Sequence, residues 1–140
     1  MYKAIDLANY IVDKCIKDNT PITNLQLQRI LYFVQKDFLK RGSRAFSDDI
    51  EAWEFGPVVP NVYFYFCGFG ATPISISRDS VSNLTFDKNI IDNIVEAKRD
   101  LDSWVTAKET NKITGAWSKV FNDGKGSHRI IPVDLIKELD

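Results

Sequence analysis

A mainly α-helical fold with a small two-stranded β-element is the fold class that this sequence predicts. Three observations indicate it: apolar residues recur at helical spacing over long stretches, capping and breaking residues separate those stretches, and alternation is confined to short runs. We assign residues 1–140 to one compact domain, because a chain of this length buries roughly two-thirds of its unfolded surface in a single core.

Two neighbouring helices open the chain. The first is predicted from about Lys3 to about Lys17, and Asn19-Thr20-Pro21 ends it. The second is predicted from Asn24 to Lys40, with Thr23 and Gln26 forming a capping box. Its buried face is predicted to hold Leu27, Ile30, Leu31, Val34 and Phe38, with Gln28, Arg29, Gln35 and Lys36 turned away from that face.

A turn-rich segment with two predicted strands follows. Residues 50–55 read as a short strand in which Trp53 and Phe55 point the same way, and Gly56-Pro57 forces a turn. Pro60 suits the first turn of a third helix that Gly68 ends. The alternation around Ile74 and Ile76 predicts a second strand that pairs with 50–55. The apolar face of the third helix is predicted to hold Val62, Tyr63, Phe66 and Cys67.

Short helices are predicted for the remaining chain. Residues 79–87 read as a loop from which Asp87 caps a helix, and Asp102 or Ser103 starts the next helix, which holds Trp104. Residues 111–115 separate that helix from an apolar group at Trp117, Val120 and Phe121. Residues 122–126 are predicted to form a turn. Pro132 begins a last short helix.

Composition and charge limit the classes of function. A net charge of −1 and a pI near 5.8 argue against general electrostatic capture of nucleic acid. The sequence has no signal-peptide pattern and no bilayer-spanning run, so we predict a cytoplasmic protein without membrane contact. Cys15 and Cys67 are predicted to be small apolar fillers in a reducing compartment.

The sequence offers three alternatives to protein binding. Cys67 and His128 formally offer a nucleophile and a base for a phage-associated hydrolase, but the aromatic neighbours of Cys67 favour packing. The carboxylates of Asp48, Asp49, Glu51 and Glu54 are close in sequence, yet a solvated loop edge fits them better than a metal site. We therefore predict no enzyme, no cofactor and no metal. A DNA-binding repressor would use Lys36, Lys40, Arg41 and Arg44, although these cations also complement a helix dipole.

Two ordered segments carry a resemblance to a known family. Leu25-x-Leu27-Gln28-x-Ile30-Leu31-Tyr32-Phe33-x-Gln35, followed by Glu51-Ala52-Trp53-x-x-Gly56-Pro57-Val58-Val59-Pro60-x-Val62-Tyr63, resembles the Panacea domain of prophage-associated GepA-like proteins and SocA-like antitoxins. The resemblance implies a domain that neutralises a nearby-encoded cognate toxin by direct contact, in some relatives by delivering it to a housekeeping ATP-dependent protease. The family tends to carry Thr-His before a Trp, whereas here Thr110 precedes Asn111, and Trp117 is kept.

The aromatic residues of the second segment have two open interpretations. They pack on Leu31 and Val34 as core, or part of the set lines a surface that grips the partner, because Trp and Tyr dominate interface energetics. Tyr63 and Tyr65 are the pair that we expect to be exposed. Homo-oligomerisation stays open, since apolar helix faces suit a core or a dimer. The candidate partner-binding residues are Trp53, Phe55, Gly56, Pro57, Tyr63, Tyr65 and Phe66.

Overall fold

The computed structural model describes residues 1–77 and 87–140, and helices dominate both ranges. A two-stranded antiparallel sheet and two 3-10 turns, at Cys67–Phe69 and Asn122–Gly124, accompany them. The predicted fold class is confirmed. In chain order the described elements are α1 (Ala4–Lys17), α2 (Asn24–Lys40), β1 (Glu51–Trp53), β2 (Gly56–Val58), α3 (Pro60–Tyr65), α4 (Lys88–Lys98), α5 (Ser103–Thr110), α6 (Ala116–Phe121) and α7 (Val133–Leu139).

Helix α2 is the centre of the fold. It packs against α1, α3, α4, α5, α7 and β2, and its N-terminus carries the predicted capping box between Thr23 and Gln26. The apolar face predicted for α2 is buried as expected. One connected hydrophobic cluster runs from α1 through α2 to α7.

The prediction that the polar residues of α2 turn away from the core was wrong for Gln28, Arg29 and Gln35, which are all buried. The reason is that neighbouring elements surround α2 on more than one side, so little of the helix faces solvent. Buried polar groups must be hydrogen-bonded, and these side chains bond to groups of other segments. Lys36 is half-buried.

The strand pairing also differs from the prediction. β1 pairs with β2 in a hairpin whose two turn residues are Glu54 and Phe55, and Gly56 directly after the turn has φ +136°. The predicted second strand around Ile74 is not formed in residues 73–77; the Ile74 amide donates instead to the carbonyl of Ile22, which precedes α2, at 2.8 Å. The hairpin forms because a nearby segment closes a shorter loop than a distant one.

The other edge of β1 is covered by residues 128–131. The His128 amide donates to the Ala52 carbonyl at 2.7 Å, and the Ala52 amide donates to the Arg129 carbonyl at 2.8 Å. The Ile131 amide then donates to the Ile50 carbonyl at 2.7 Å. This pairing brings the C-terminal segment next to the hairpin.

Two tyrosine hydroxyls, one on α1 and one just before it, connect this part of the chain to α4 and to the residue before α4. Tyr2 donates to Asp87 at 2.7 Å and Tyr10 donates to Asp92 at 2.6 Å. Burial, together with the bond to Asp87, raises the pKa of Tyr2 to about 12. Asp87 sits at the predicted N-cap of α4, but its side chain makes this contact and no capping bond, which corrects the prediction. The predicted loop at 79–86 lies outside the described residues.

The two cysteines differ in environment. Cys15 is buried as predicted, whereas Cys67 is exposed, which corrects its assignment as an apolar filler. Helix α3 ends at Tyr65, and Cys67 opens a 3-10 turn, so the helical periodicity that would have placed it on the buried face stops before it. In the described ranges, no helix has the length and apolar character needed to cross a bilayer.

Candidate functional site

Two buried amide side chains attach α2 to the segment that carries the aromatic residues. The Gln28 amide oxygen accepts from the Val59 backbone amide at 2.9 Å, and its nitrogen donates to the Asn24 side-chain oxygen at 3.0 Å. Asn24 in turn donates to the Tyr63 carbonyl at 3.0 Å. The central helix therefore fixes both the start and the middle of α3.

The Asn111 side chain makes a second contact, with the hairpin turn. The Asn111 side-chain nitrogen donates to the Phe55 carbonyl at 3.1 Å, and Thr110 donates to the Asn111 side-chain oxygen at 2.8 Å. A Cβ placed on Gly56 would lie 2.7 Å from that same oxygen. Asn111, at the position where the resemblance expects His, thus takes a structural role against the Gly56-Pro57 motif.

Gly56→Ala is expected to destabilise the fold by about 2–4 kcal/mol. The change places a side chain at φ +136° and pushes the Asn111 amide from its bond to the Phe55 carbonyl. Urea unfolding monitored by circular dichroism measures the loss.

The double variant Gly56→Ala/Asn111→Ala separates the two causes of that loss. It removes the close contact and leaves the backbone strain and the loss of one Asn111 hydrogen bond, which both single variants already suffer, so its loss should be smaller than the sum of the two single losses. Fully additive single losses would show that the Asn111 amide does not press on position 56.

Trp53 is held rigidly at the end of β1. Its carbonyl accepts from the Trp117 indole at 2.8 Å, and its own indole donates to Glu51 at 2.9 Å. The ring is only 8% exposed. Four rings surround it, with centroid distances of 6.0 Å to Phe55, 5.0 Å to Tyr63, 5.8 Å to Phe64 and 4.6 Å to His128.

We call Trp53, Phe55, Tyr63, Phe64 and His128 the aromatic cluster. Phe64 is 61% exposed and Phe55 is 38% exposed, so the cluster presents apolar surface to solvent around a buried tryptophan. His128 is also exposed and stacks on the Trp53 ring with an interplanar angle of 16°. The cluster joins the hairpin, α3 and the segment after the second 3-10 turn.

A groove borders the aromatic cluster. Its volume is about 610 Å³, and it is lined by the first turn of α2, by Phe55 and Tyr63, by Gly70-Ala71 and by Ser103. Phe55 and Tyr63 belong to both features, so the groove and the cluster form one continuous surface.

Comparison with known proteins identifies the family. The model of the family "Antitoxin SocA-like, Panacea domain" matches residues 27–123, which reach from the first turn of α2 to the second 3-10 turn. The chain belongs to this family. Antitoxin SocA of Caulobacter vibrioides (strain NA1000 / CB15N) is 38% identical over 100 residues, which are 69% of this chain and 50% of that protein. The chain thus spans about half the length of this relative, and no solved structure matches it significantly.

The Panacea-domain structure distributes the predicted partner-binding residues over two environments. Trp53, Phe55 and Tyr63 meet in the aromatic cluster, and Gly56 and Pro57 are buried in the hairpin. Tyr65 is exposed and packs edge-on against Phe66, which is buried in the core. The exposed members of the set are therefore Phe55 and Tyr65, whereas Tyr63, which was expected to be exposed, is half-buried.

The partner-binding residues predicted from the sequence did not include Phe64 and His128. Phe64 had a usable signal, because Val62 and Phe66 lie four residues apart on the buried face of α3 and residue 64 falls opposite them. His128 had none, since its place beside Trp53 depends on the long-range pairing of residues 128–131 with β1.

The residues weighed for catalysis and metal binding have other contacts. His128 stacks on Trp53, and within the described chain no hydrogen bond joins it to the Cys67 thiol. Asp48 accepts from the Ala4 amide at 2.8 Å and from Asn61 at 3.1 Å. Of the residues that the structure describes, no three His, Cys, Asp or Glu side chains are grouped as a metal ion would require.

The cations weighed for DNA binding are partly engaged within the protein. Arg41 pairs with Asp37 at 2.5 Å, and Arg44 donates to the Ser47 carbonyl at 3.1 Å. Burial lowers the pKa of Lys36, with Lys40 as a further cause. The surface beside Lys36 also carries Asp37 and Glu109, so positive charge there is not uniform.

Proposed function

We propose that this chain is an antitoxin that neutralises a cognate toxin encoded by a neighbouring reading frame, and that it binds the toxin through the aromatic cluster. Membership of the SocA-like antitoxin family supports the class of function. The observation that carries the location is the exposure of Phe64 and Phe55 around Trp53.

The aromatic cluster has the properties of an interface centre. Large aromatic rings that pack on a rigid neighbour bury much area on binding and lose little conformational entropy. The cluster is rigid because Trp117 and Asn111 fix the hairpin while Asn24 and Gln28 fix α3. Exposed aromatic side chains without such support would lose more conformational entropy on binding, which would weaken the complex.

Docking at this surface serves either of two mechanisms. The antitoxin occludes the toxin's working surface, or it delivers the bound toxin to an ATP-dependent protease. We propose that residues 1–140 form one cytoplasmic domain that needs no cofactor and performs no catalysis. Toxin levels after a block of protein synthesis distinguish the mechanisms, since only delivery shortens the lifetime of the toxin.

The function is tested by growth of cells that express the neighbouring reading frame, with and without this chain. We expect arrest without it and growth with it. Phe64→Ala should then weaken toxin binding by about 2 kcal/mol, or roughly 30-fold, as expected for a hot-spot residue, and should reduce rescue. Binding is measured by titration calorimetry with the purified toxin.

The matched control is Trp104→Ala. Trp104 is 61% exposed, like Phe64, but lies on α5 beside Lys108 and outside the aromatic cluster. It should leave binding unchanged, and both variants should melt near the parent temperature. A harmless neighbour would remove the proposed function, and equal effects of Phe64→Ala and Trp104→Ala would remove the aromatic cluster as its site.

A further inference from the structure

We propose that the groove beside the aromatic cluster receives an acidic side chain of the toxin, held next to an apolar residue of the same toxin segment. This inference rests on the proposed function and adds the chemistry of the partner. Three features point to it: a buried arginine without a carboxylate partner, hydrogen-bonded to the groove residue Ser103, two unpaired amides at the start of α2, and apolar walls.

The first feature is Arg29, which is 6% exposed. One of its terminal nitrogens donates to the Ser103 carbonyl at 2.9 Å, to the Ser103 hydroxyl at 2.6 Å and to the Thr106 hydroxyl at 3.3 Å, while its Nε has no partner. In the described part of the chain no carboxylate pairs with it. A buried charge is costly without an opposite charge, so the site favours a carboxylate brought by a ligand.

Ser103 connects that charge to the groove. Ser103 lines the groove, and its hydroxyl accepts from the Arg29 guanidinium. Because the Ser103 hydroxyl already accepts from Arg29, its own proton is available to donate. The hydroxyl is polarised by the arginine and is therefore a good hydrogen-bond donor to an acceptor in the groove. The neighbouring Asp102 is exposed to solvent, which screens its charge.

The second feature is the N-terminus of α2, which forms another wall of the groove. The capping box satisfies the amides of Thr23 and Gln26, but among the described residues the amides of Asn24 and Leu25 have no acceptor. The first turn contains no acidic residue that would offset the helix dipole. Free amides at the positive end of a 17-residue helix favour an anion.

The third feature is apolar surface, which favours a protein segment over a free small carboxylate. Phe55, Tyr63, Leu25 and Ala71 line the same space. A volume of about 610 Å³ accommodates more than a carboxylate group, and the groove continues into the aromatic cluster. A toxin segment with an acidic residue beside an aliphatic or aromatic one matches both the charged and the apolar parts.

A pair of variants with opposite charge tests the inference. Ala71 is exposed and lines the groove, so Ala71→Glu and Ala71→Lys change its charge at similar size without disturbing the core. A library of random displayed peptides is selected on the 140-residue chain, and the selected peptides are then measured against both variants. We expect enrichment of an acidic residue next to an apolar one, with affinity weakened about tenfold or more by Ala71→Glu and retained by Ala71→Lys.

The same variants are tested for growth rescue against the toxic neighbour. Rescue by Ala71→Lys and failure of Ala71→Glu support the inference. Selected peptides without acidic residues, or equal affinities for both variants, overturn it even if the parent chain rescues growth. Displacement of the peptides by millimolar benzoate would reassign the groove to a free carboxylate and also overturn it. Failure of the parent chain to rescue removes the proposed function, while the peptide selection still decides the chemistry of the groove.

Discussion

Replacement of Gly126 by alanine is expected to be more destabilising than any other glycine-to-alanine change in the described chain, with a loss of about 3 kcal/mol or more. A Cβ at this position would lie 1.7 Å from the Val120 carbonyl oxygen and 2.8 Å from its carbon. Both are backbone atoms at the end of α6, so no side-chain rotation relieves the overlap. Urea unfolding measures the loss.

Two other glycines provide controls for this change. Gly68 has open space at its Cβ position and no positive φ, so Gly68→Ala should be nearly neutral. Gly124 also has open space but φ +95°, and Gly124→Ala should cost about 1–3 kcal/mol from backbone strain alone. If Gly126→Ala were as stable as Gly68→Ala, the chain would not pass α6 as closely as the structure places it.

The expected loss at Gly126 has a consequence for the aromatic cluster. Residue 126 lies two positions before His128, whose ring stacks on Trp53 and whose amide bonds to Ala52. A displaced turn would withdraw His128 and the pairing of 128–131 with β1. The turn after α6 therefore shapes the proposed toxin-binding surface although it is distant from it in sequence.

Local signals in the sequence were sufficient to predict the helices. α1 and α2 lie at or within one residue of the predicted positions, because apolar periodicity and the Thr23–Gln26 capping box act within a few residues. Long-range choices were not predictable in the same way. The partner of β1 depended on competition between a hairpin with β2 and a strand near Ile74, and alternation alone does not rank the two.

The candidate site was predictable only in part for a related reason. Trp53, Phe55 and Tyr63 were found because they lie in the family segment, and the structure brings them together. The groove was not foreseen, since its wall at Ser103 and the bond from Arg29 to that wall join residues 74 positions apart in sequence. Arg29 was predicted to face away from the core because it is charged, and the same charge, when buried beside the groove, favours an anionic ligand.

Gln35 is fully buried and links α2 to the loop before β1. Its oxygen accepts from the Ala45 amide at 2.7 Å, and its nitrogen donates to the Phe46 carbonyl at 3.1 Å. Gln35→Leu keeps much of the volume but removes the partner of both groups and of the Phe46 amide, which lies 3.4 Å from the Gln35 oxygen. We expect a loss of about 2–5 kcal/mol in the free energy of unfolding, measured with urea.

Gln35→Glu distinguishes lost hydrogen bonds from altered packing. The buried carboxylate keeps its bond from the Ala45 amide but has no proton to donate to the Phe46 carbonyl. Burial raises the pKa of such a carboxyl group above its unfolded value of about 4.3. The folded state then binds more protons than the unfolded state, so stability relative to the parent should rise as the pH falls from 7 toward 4. Gln35→Leu should show no such recovery. A loss independent of pH in both variants would mean that packing, rather than the two backbone contacts, explains why glutamine occupies this position.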